Sequence, residues 1–262
     1  MAKHNAILVT ASNPDVGLVG WLTGGGHGPL SSTYGMGADN LLEATVVTAS
    51  GDILVTNPCL HSDLFFAIRG GGGGTYGVVT EVVVKTYPDP ETTKIFFQLS
   101  TTSSNITKEY WDLIGFIHAD MQRLKENGLS GYYFVVGPPI YPVYAFLGLF
   151  TIYNKPNGTM EELFAPIVEK IESRPGLFQY TSEITQANTF LEAYGAGTNE
   201  QVASGGSAFA SWLLSPKSLE NANVTARVLS EIGPSINASR PNVSCAHVVH
   251  PTIIKPSKHN VC

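Results

Sequence analysis

Charge is scarce in this chain. Only 14% of its 262 residues are Asp, Glu, Lys or Arg, and the formal net charge is −6. No basic stripe is present to neutralise phosphates, which excludes nucleic acid as a partner. Long apolar runs are missing as well. The most apolar stretch, GYYFVVGPPIYPVYAFLGLF at 131–150, is interrupted by Gly and Pro and alternates as strands do, so no segment reads as membrane-spanning. Cysteine occurs three times, at Cys59, Cys245 and Cys262, too scattered for a zinc site or a disulfide framework. Ser-His-Asp sets, H-E-x-x-H and C-x-x-C do not occur, which leaves hydrolase, zinc-protease and dithiol chemistry without their residues. The first residues, MAKHNAILVTASNPDVG, hold no apolar core followed by a cleavage site. Yet Asn105, Asn157, Asn223, Asn237 and Asn242 each begin an N-x-S/T sequon. Such sequons belong to the secretory route, or arise by chance in loops rich in Asn, Ser and Thr.

Apolar residues make up 43% of the chain, the proportion of a packed globular protein. Glycine is concentrated in two places. One is VGLVGWLTGGGHGPLSSTYGMGADN, with Gly17, Gly20, Gly24, Gly25, Gly26, Gly28, Gly35 and Gly37. The other is IRGGGGGTYGVV, with five glycines in succession from Gly70. Gly72, Gly74 and Gly77 form a G-x-G-x-x-G, but a dinucleotide fold needs strand, glycines, helix in that order. Here a short helix, DLFFAIR, precedes the glycines and a valine-rich strand follows. The glycines therefore meet a helix C-terminus, whose partial negative charge repels phosphate. Two glycine-dense loops separated by a hairpin and a helix nevertheless suit backbone N–H groups brought against a ligand.

The rest of the chain reads as α+β. LLEATVVTASGDILVT is a hairpin turning at Ser50-Gly51-Asp52, and Ser62 is placed to cap the DLFFAIR helix. PDPETT at 88–93 breaks the pattern and divides a glycine-rich domain, 1–88, from a second, 89–262. In the second, KIFFQLS, SGYYFVVG, VYAFLGLFTIY, FQYTSEI and SAFASWLLS read as strands. ITKEYWDLIGFIHADMQRLKEN, TMEELFAPIVEKIES (capping box Thr159 with Glu162) and PKSLENANVTARVLSEIG read as helices. The expected arrangement is an antiparallel sheet with helices on one face.

The landmarks VGLVGWLTGGGHG, YGMGADNLLEATVV, GDIL, DLFFAIRGGGGGTYGVVTEV and YPDP occur in the order and spacing of a known family. Over Val16–Pro88 the chain resembles the second half of the PCMH-type FAD-binding domain of the vanillyl-alcohol oxidase class. The resemblance is strongest to the berberine-bridge-enzyme-like branch, with its fungal secondary-metabolite members. It implies an incomplete FAD-binding domain followed by part of an α+β substrate domain. It places Val16, Gly17, Gly20, Gly24 and Gly25 along the flavin and its pyrophosphate, and Gly77, Val78 and Val79 beside the adenine end. Asp39 and Asn40 would brace a turn. Asn13 stands where bicovalent members carry a flavin-linked cysteine, and Trp21 where several have a histidine. The family's R-x-G-G-H loop and its C-terminal Tyr/Asn motif find no counterpart, so the resemblance implies a portion of a longer enzyme or a shortened product.

The implied function is hydride transfer from a small organic substrate to FAD, with dioxygen reoxidising the flavin; the catalytic base has no match in the chain. The alternatives are a catalytically silent shortened product, or a metabolite-binding sheet built on Tyr132, Tyr133, Phe134, Tyr141, Tyr144 and Phe146. Those aromatics have core packing as their default role. His27 is a candidate to polarise a flavin carbonyl or a packed histidine. His247 and His250, an odd number apart, do not share a strand face and make no metal site.

Overall fold

A computed structural model describes residues 4–13, 15–139, 141–195, 213–234 and 244–248. They fall into two compact units. Residues up to Pro90, with 189–195, form one, and 91–188, with 213–234 and 244–248, form the other.

The first unit opens with a short strand β1 (Ala6–Ile7), then helices α1 (Leu18–Thr23) and α2 (Ser31–Tyr34) and a 3-10 turn at Gly37–Asn40. Strands β2 (Leu41–Val47) and β3 (Ile53–Thr56) form the hairpin expected from alternating β-branched residues. Helix α3 (Ser62–Ile68) leads through the glycine run to β4 (Val78–Val84), and β5 (Tyr87–Pro88) pairs with β1. The sheet order is β3-β2-β4, antiparallel throughout. Leu41, Ala44 and Val46 point from its inner face to Leu22 of α1 and to Phe65 and Ile68 of α3. The N-cap of α3 is His61, at φ 48°, with no side-chain cap bond, so Ser62 is the first helical residue and not the cap expected from the sequence. Cys59 is disulfide-bonded.

The second unit runs β6 (Thr92–Thr101), α4 (Lys108–Glu126), β7 (Ser130–Val136), β8 (Ala145–Tyr153), α5 (Thr159–Glu172) and β9 (Phe178–Ala187). With β10 (Ser244–Val248) these strands form an antiparallel sheet in the order β10-β7-β8-β6-β9. Phe97, Phe146 and Phe150 pack from one face against Tyr110, Ile114 and Ile117 of α4 and Phe164 and Ile167 of α5. This is the expected α+β class, with helices packed on the three-stranded and the five-stranded antiparallel sheets. Two local expectations need correction. Gly158, at φ 90°, precedes α5 and no side-chain cap bond forms, so Thr159 and Glu162 make no capping box. The segment from Pro216 is two helices, Pro216–Leu219 and Ala222–Ile232, because the Asn221 side chain accepts from Val224 N and starts a second helix. The SAFASWLLS strand lies largely outside the described residues, as does His250.

Candidate functional site

The first glycine cluster contains a helix that its glycines conceal. Gly20 lies inside α1, whose Leu22 anchors it in the core. Gly24 ends the helix by donating to Gly20 O at 3.1 Å, and Gly25 donates to Leu22 O at 3.1 Å. Gly25 and Gly26 then take φ of 104° and 72°, which turn the chain where a side chain would strain it. The turned loop is held by two rungs, Gly37 N to Gly26 O at 2.6 Å and Ala38 N to Gly25 O at 3.0 Å. The Trp21 ring packs against both strands of this clasp, since a Cβ at Gly26 would lie 2.8 Å from it and one at Gly37 would also strike it. Its Nε1 donates to His27 O at 3.1 Å. Trp21 is therefore a structural plug. Burial of the His27 ring lowers its pKa and favours the neutral imidazole.

The second cluster meets the first at Thr23. Gly72 N donates to Thr23 O at 3.0 Å, and a Cβ built on Gly70 would sit 3.8 Å from Gly25 Cα. Arg69, the last residue before the run, reaches the 3-10 turn. Its Nε donates to Ala38 O at 2.7 Å, and a terminal nitrogen lies 3.8 Å from Asp39 Oδ1. Asp39 Oδ2 accepts from Met36 N at 2.9 Å. Asn40 donates to Tyr34 O and Met36 O and accepts from the Tyr87 hydroxyl at 2.6 Å, beneath the stacked Tyr34 and Tyr87 rings. Asp39 and Asn40 thus brace the turn.

Val16, Gly17, Gly20, Gly24 and Gly25 follow one continuous path along α1 and into the turned loop. Gly17 is the helix N-cap at φ −63°, and a Cβ at Gly17 or Gly20 would meet nothing within 4 Å. Gly77, Val78 and Val79 are elsewhere on the sheet. Val78 and Val79 pair with Val47 and Val46, at the opposite end of β2 from the Gly37–Asn40 turn. A strand of that length spans roughly 20 Å. A Cβ at Gly77, whose φ is 148°, would lie 2.6 Å from Val47 O, so this glycine answers to the sheet itself. The sequence did not reveal Arg69 as a tie between loops. As a cation in the last turn of a helix it has a sufficient local explanation, and its partner is 31 residues away.

In the second unit Tyr133, Tyr144 and Phe146 are buried in the core, as packing predicts. Phe96, Phe134 and Leu149 lie on the other face of the sheet and remain more than two-fifths exposed. Among the described residues no three His, Cys, Asp or Glu side chains gather as a metal site, and no helix is long and apolar enough to cross a membrane.

Residues 1–57 match the family model described as FAD binding domain. Over 211 residues the chain is 38% identical to the FAD-linked oxidoreductase apf9 of Gibberella fujikuroi, covering 77% of this chain and 36% of that protein. It is 35% identical to the FAD-linked oxidoreductase patO of Aspergillus clavatus, covering 72% of this chain and 32% of that one. The fold matches the crystal structure of the VAO-type flavoprotein MtVAO713 from Myceliophthora thermophila C1 with a TM-score of 0.74 and 27% identity, over 88% of this chain and 42% of that one. The chain is thus a partial-length match to FAD-linked oxidoreductases, with structural neighbours in the VAO/berberine-bridge-enzyme family. Its fold also matches berberine bridge enzyme from Eschscholzia californica at a TM-score of 0.52 and 24% identity, over 68% of this chain and 34% of that one. The chain spans about a third of the length of the curated relatives it matches.

FAD is the family's cofactor. The residues present fit one side of it. The path from Val16 to His27 carries no acidic side chain to oppose a pyrophosphate. It offers exposed backbone at Gly17, Gly20 and Gly24, and Gly17 and Gly20 have no neighbour that would forbid a side chain.

Proposed function

We propose that this chain contributes the α1 path and its two joined glycine loops to an FAD-dependent oxidase of small organic substrates, with secondary metabolites or alcohols as the substrate class. The observation that carries this reading is Gly17 and Gly20, two glycines that neither the backbone conformation nor any neighbour among the described residues requires. Bare backbone at those points suits a flat ligand lying against α1. FAD, when bound, would supply hydride-acceptor chemistry, with dioxygen as the proposed final electron acceptor. The chain's own part is to bind and orient. Val16, Gly17, Gly20, Gly24 and Gly25 lie along the flavin and pyrophosphate, and Gly77–Val79 take the adenine end. The Cys59 disulfide and the exposure of Asn105, Asn157 and Asn223 support the secretory route.

Gly20→Ala tests the reading. The added methyl meets no protein atom and replaces a poor helix former with a good one, so thermal stability should hold or rise slightly. FAD affinity, followed by quenching of flavin fluorescence, should fall. Unchanged affinity in a folded Gly20→Ala protein, or no saturable uptake by the wild-type chain, would refute the proposal.

A further inference from the structure

We infer that Arg69 is a positioning residue for FAD, the side chain that locks the two glycine loops into one surface; this rests on the FAD reading above. The loops are joined by a closed circuit. Gly25 O accepts from Ala38 N at 3.0 Å, Ala38 O accepts from Arg69 Nε at 2.7 Å, and the backbone continues from Arg69 into Gly70, against Gly25. Gly72 N then returns to Thr23 O at 3.0 Å, one residue before the first loop begins. Every other link in this circuit is backbone to backbone. Arg69 supplies its side-chain link, and it connects the end of α3 to the turn that grips Gly25 and Gly26.

Its surroundings hold it to that task. Asp39 lies 3.8 Å from a terminal nitrogen and is itself fixed by Met36 N. The Phe65 ring, buried in the core, lies 5.3 Å from the guanidinium carbon. A guanidinium can donate from Nε to a carbonyl while presenting a terminal nitrogen to a carboxylate in the same plane. An ammonium on a flexible stem cannot reproduce both directions at once. The glycines of both loops have no side chains with which to restrain each other, so their spacing depends on this tie more than a loop with packed side chains would. Arg69 is half-buried and its planar face is engaged by Phe65, so it acts by holding backbone in place.

The test uses the full chain with Arg69→Lys and Arg69→Gln, and Asp39→Asn as a milder perturbation. Hydrogen–deuterium exchange in the absence of FAD reads the circuit directly. Faster exchange at the amides of Gly72 and Ala38 is expected in Arg69→Lys, with the β2–β4 amides unchanged. FAD titration should show affinity weakened by roughly tenfold to a hundredfold in both Arg69 variants, the effect of losing one charge-assisted hydrogen bond. Asp39→Asn should weaken binding less. Should Arg69→Gln fail to fold, Arg69→Lys carries both readouts. Wild-type affinity in Arg69→Lys would overturn the inference, as would loop exchange equal to wild type. If the wild-type chain takes up no FAD, the proposed function falls, and faster loop exchange in Arg69→Lys then shows the tie to be structural alone.

Discussion

The stability of the second unit should depend on pH through one buried imidazole. His118 sits on the core face of α4, 6% exposed. Its Nδ1 lies 2.7 Å from Ile114 O, an acceptor, so Nδ1 carries the proton and donates. Nε2 then accepts, and the Tyr133 hydroxyl donates to it at 2.8 Å with the rings edge to face. Both nitrogens are satisfied by the neutral ring. Burial disfavours the imidazolium and lowers the pKa below the ordinary 6.5, although the bond to Ile114 O opposes this. The unfolded chain therefore binds the proton first. The stabilising contribution is complete above about pH 6.5 and is lost as pH falls from there through the folded-state value, at no more than about 1.4 kcal/mol per pH unit for one proton.

Urea unfolding of wild type and His118→Asn, followed through Trp111 in the same core, measures this. Asn places an N–H donor near Nδ1 but removes the titrating group. Wild type should be the more stable protein near neutral pH, and its advantage should shrink steadily as the solution is acidified below about 6.5. His27, whose pKa is also lowered by burial, is common to both proteins and cancels in the difference. A Tyr133→Phe variant leaves Nε2 buried without its donor and should cost about 1–3 kcal/mol at neutral pH. Parallel stability profiles for wild type and His118→Asn would refute the assignment.

Two further substitutions test packing in each unit. Gly77→Ala would set a methyl 2.6 Å from Val47 O and 2.7 Å from Val46 Cγ1, at a backbone angle that side chains avoid, so it should lower the stability of the first unit by about 1–3 kcal/mol in thermal unfolding. Gly115→Val in α4 would strike Ala222 O and the Ala226 side chain, and should weaken the docking of the Ala222–Ile232 helix by about 1–3 kcal/mol. An unfolding midpoint equal to wild type in either case would refute the contact.

The hairpin β2–β3, the long strands β6 and β8 and the helices α4 and α5 were legible because each carries its period over many residues. Helix starts were less so. Ser62 and Thr159 have the right chemistry to cap, but residues at left-handed φ, His61 and Gly158, take the position just ahead of them. Helix α1 was hidden because three of its flanking and internal positions, Gly17, Gly20 and Gly24, are glycine, and its stability comes from Leu22 in the core rather than from propensity. Arg69 was visible only as a helix-end cation, since a tie across 31 residues leaves no local pattern.

Glycine density itself mixes two causes that sequence cannot separate. Gly26 and Gly37 are bare because the Trp21 ring occupies the space beside them, Gly28 because Thr10 O does, and Gly71 because Ala67 O does. These four would be glycine in a protein that bound nothing. Among the described residues Gly17 and Gly20 have no neighbour that a Cβ would meet, and their backbone angles are ordinary, so no described contact selects glycine there. A ligand is therefore indicated by these few positions and not by the length of the five-glycine run. That run gains its meaning from being held beside them by Thr23 and Arg69. A ligand that needs bare backbone along α1 also needs the second loop to stay where the circuit puts it. The same few contacts thus join the fold of the first unit to its proposed chemistry.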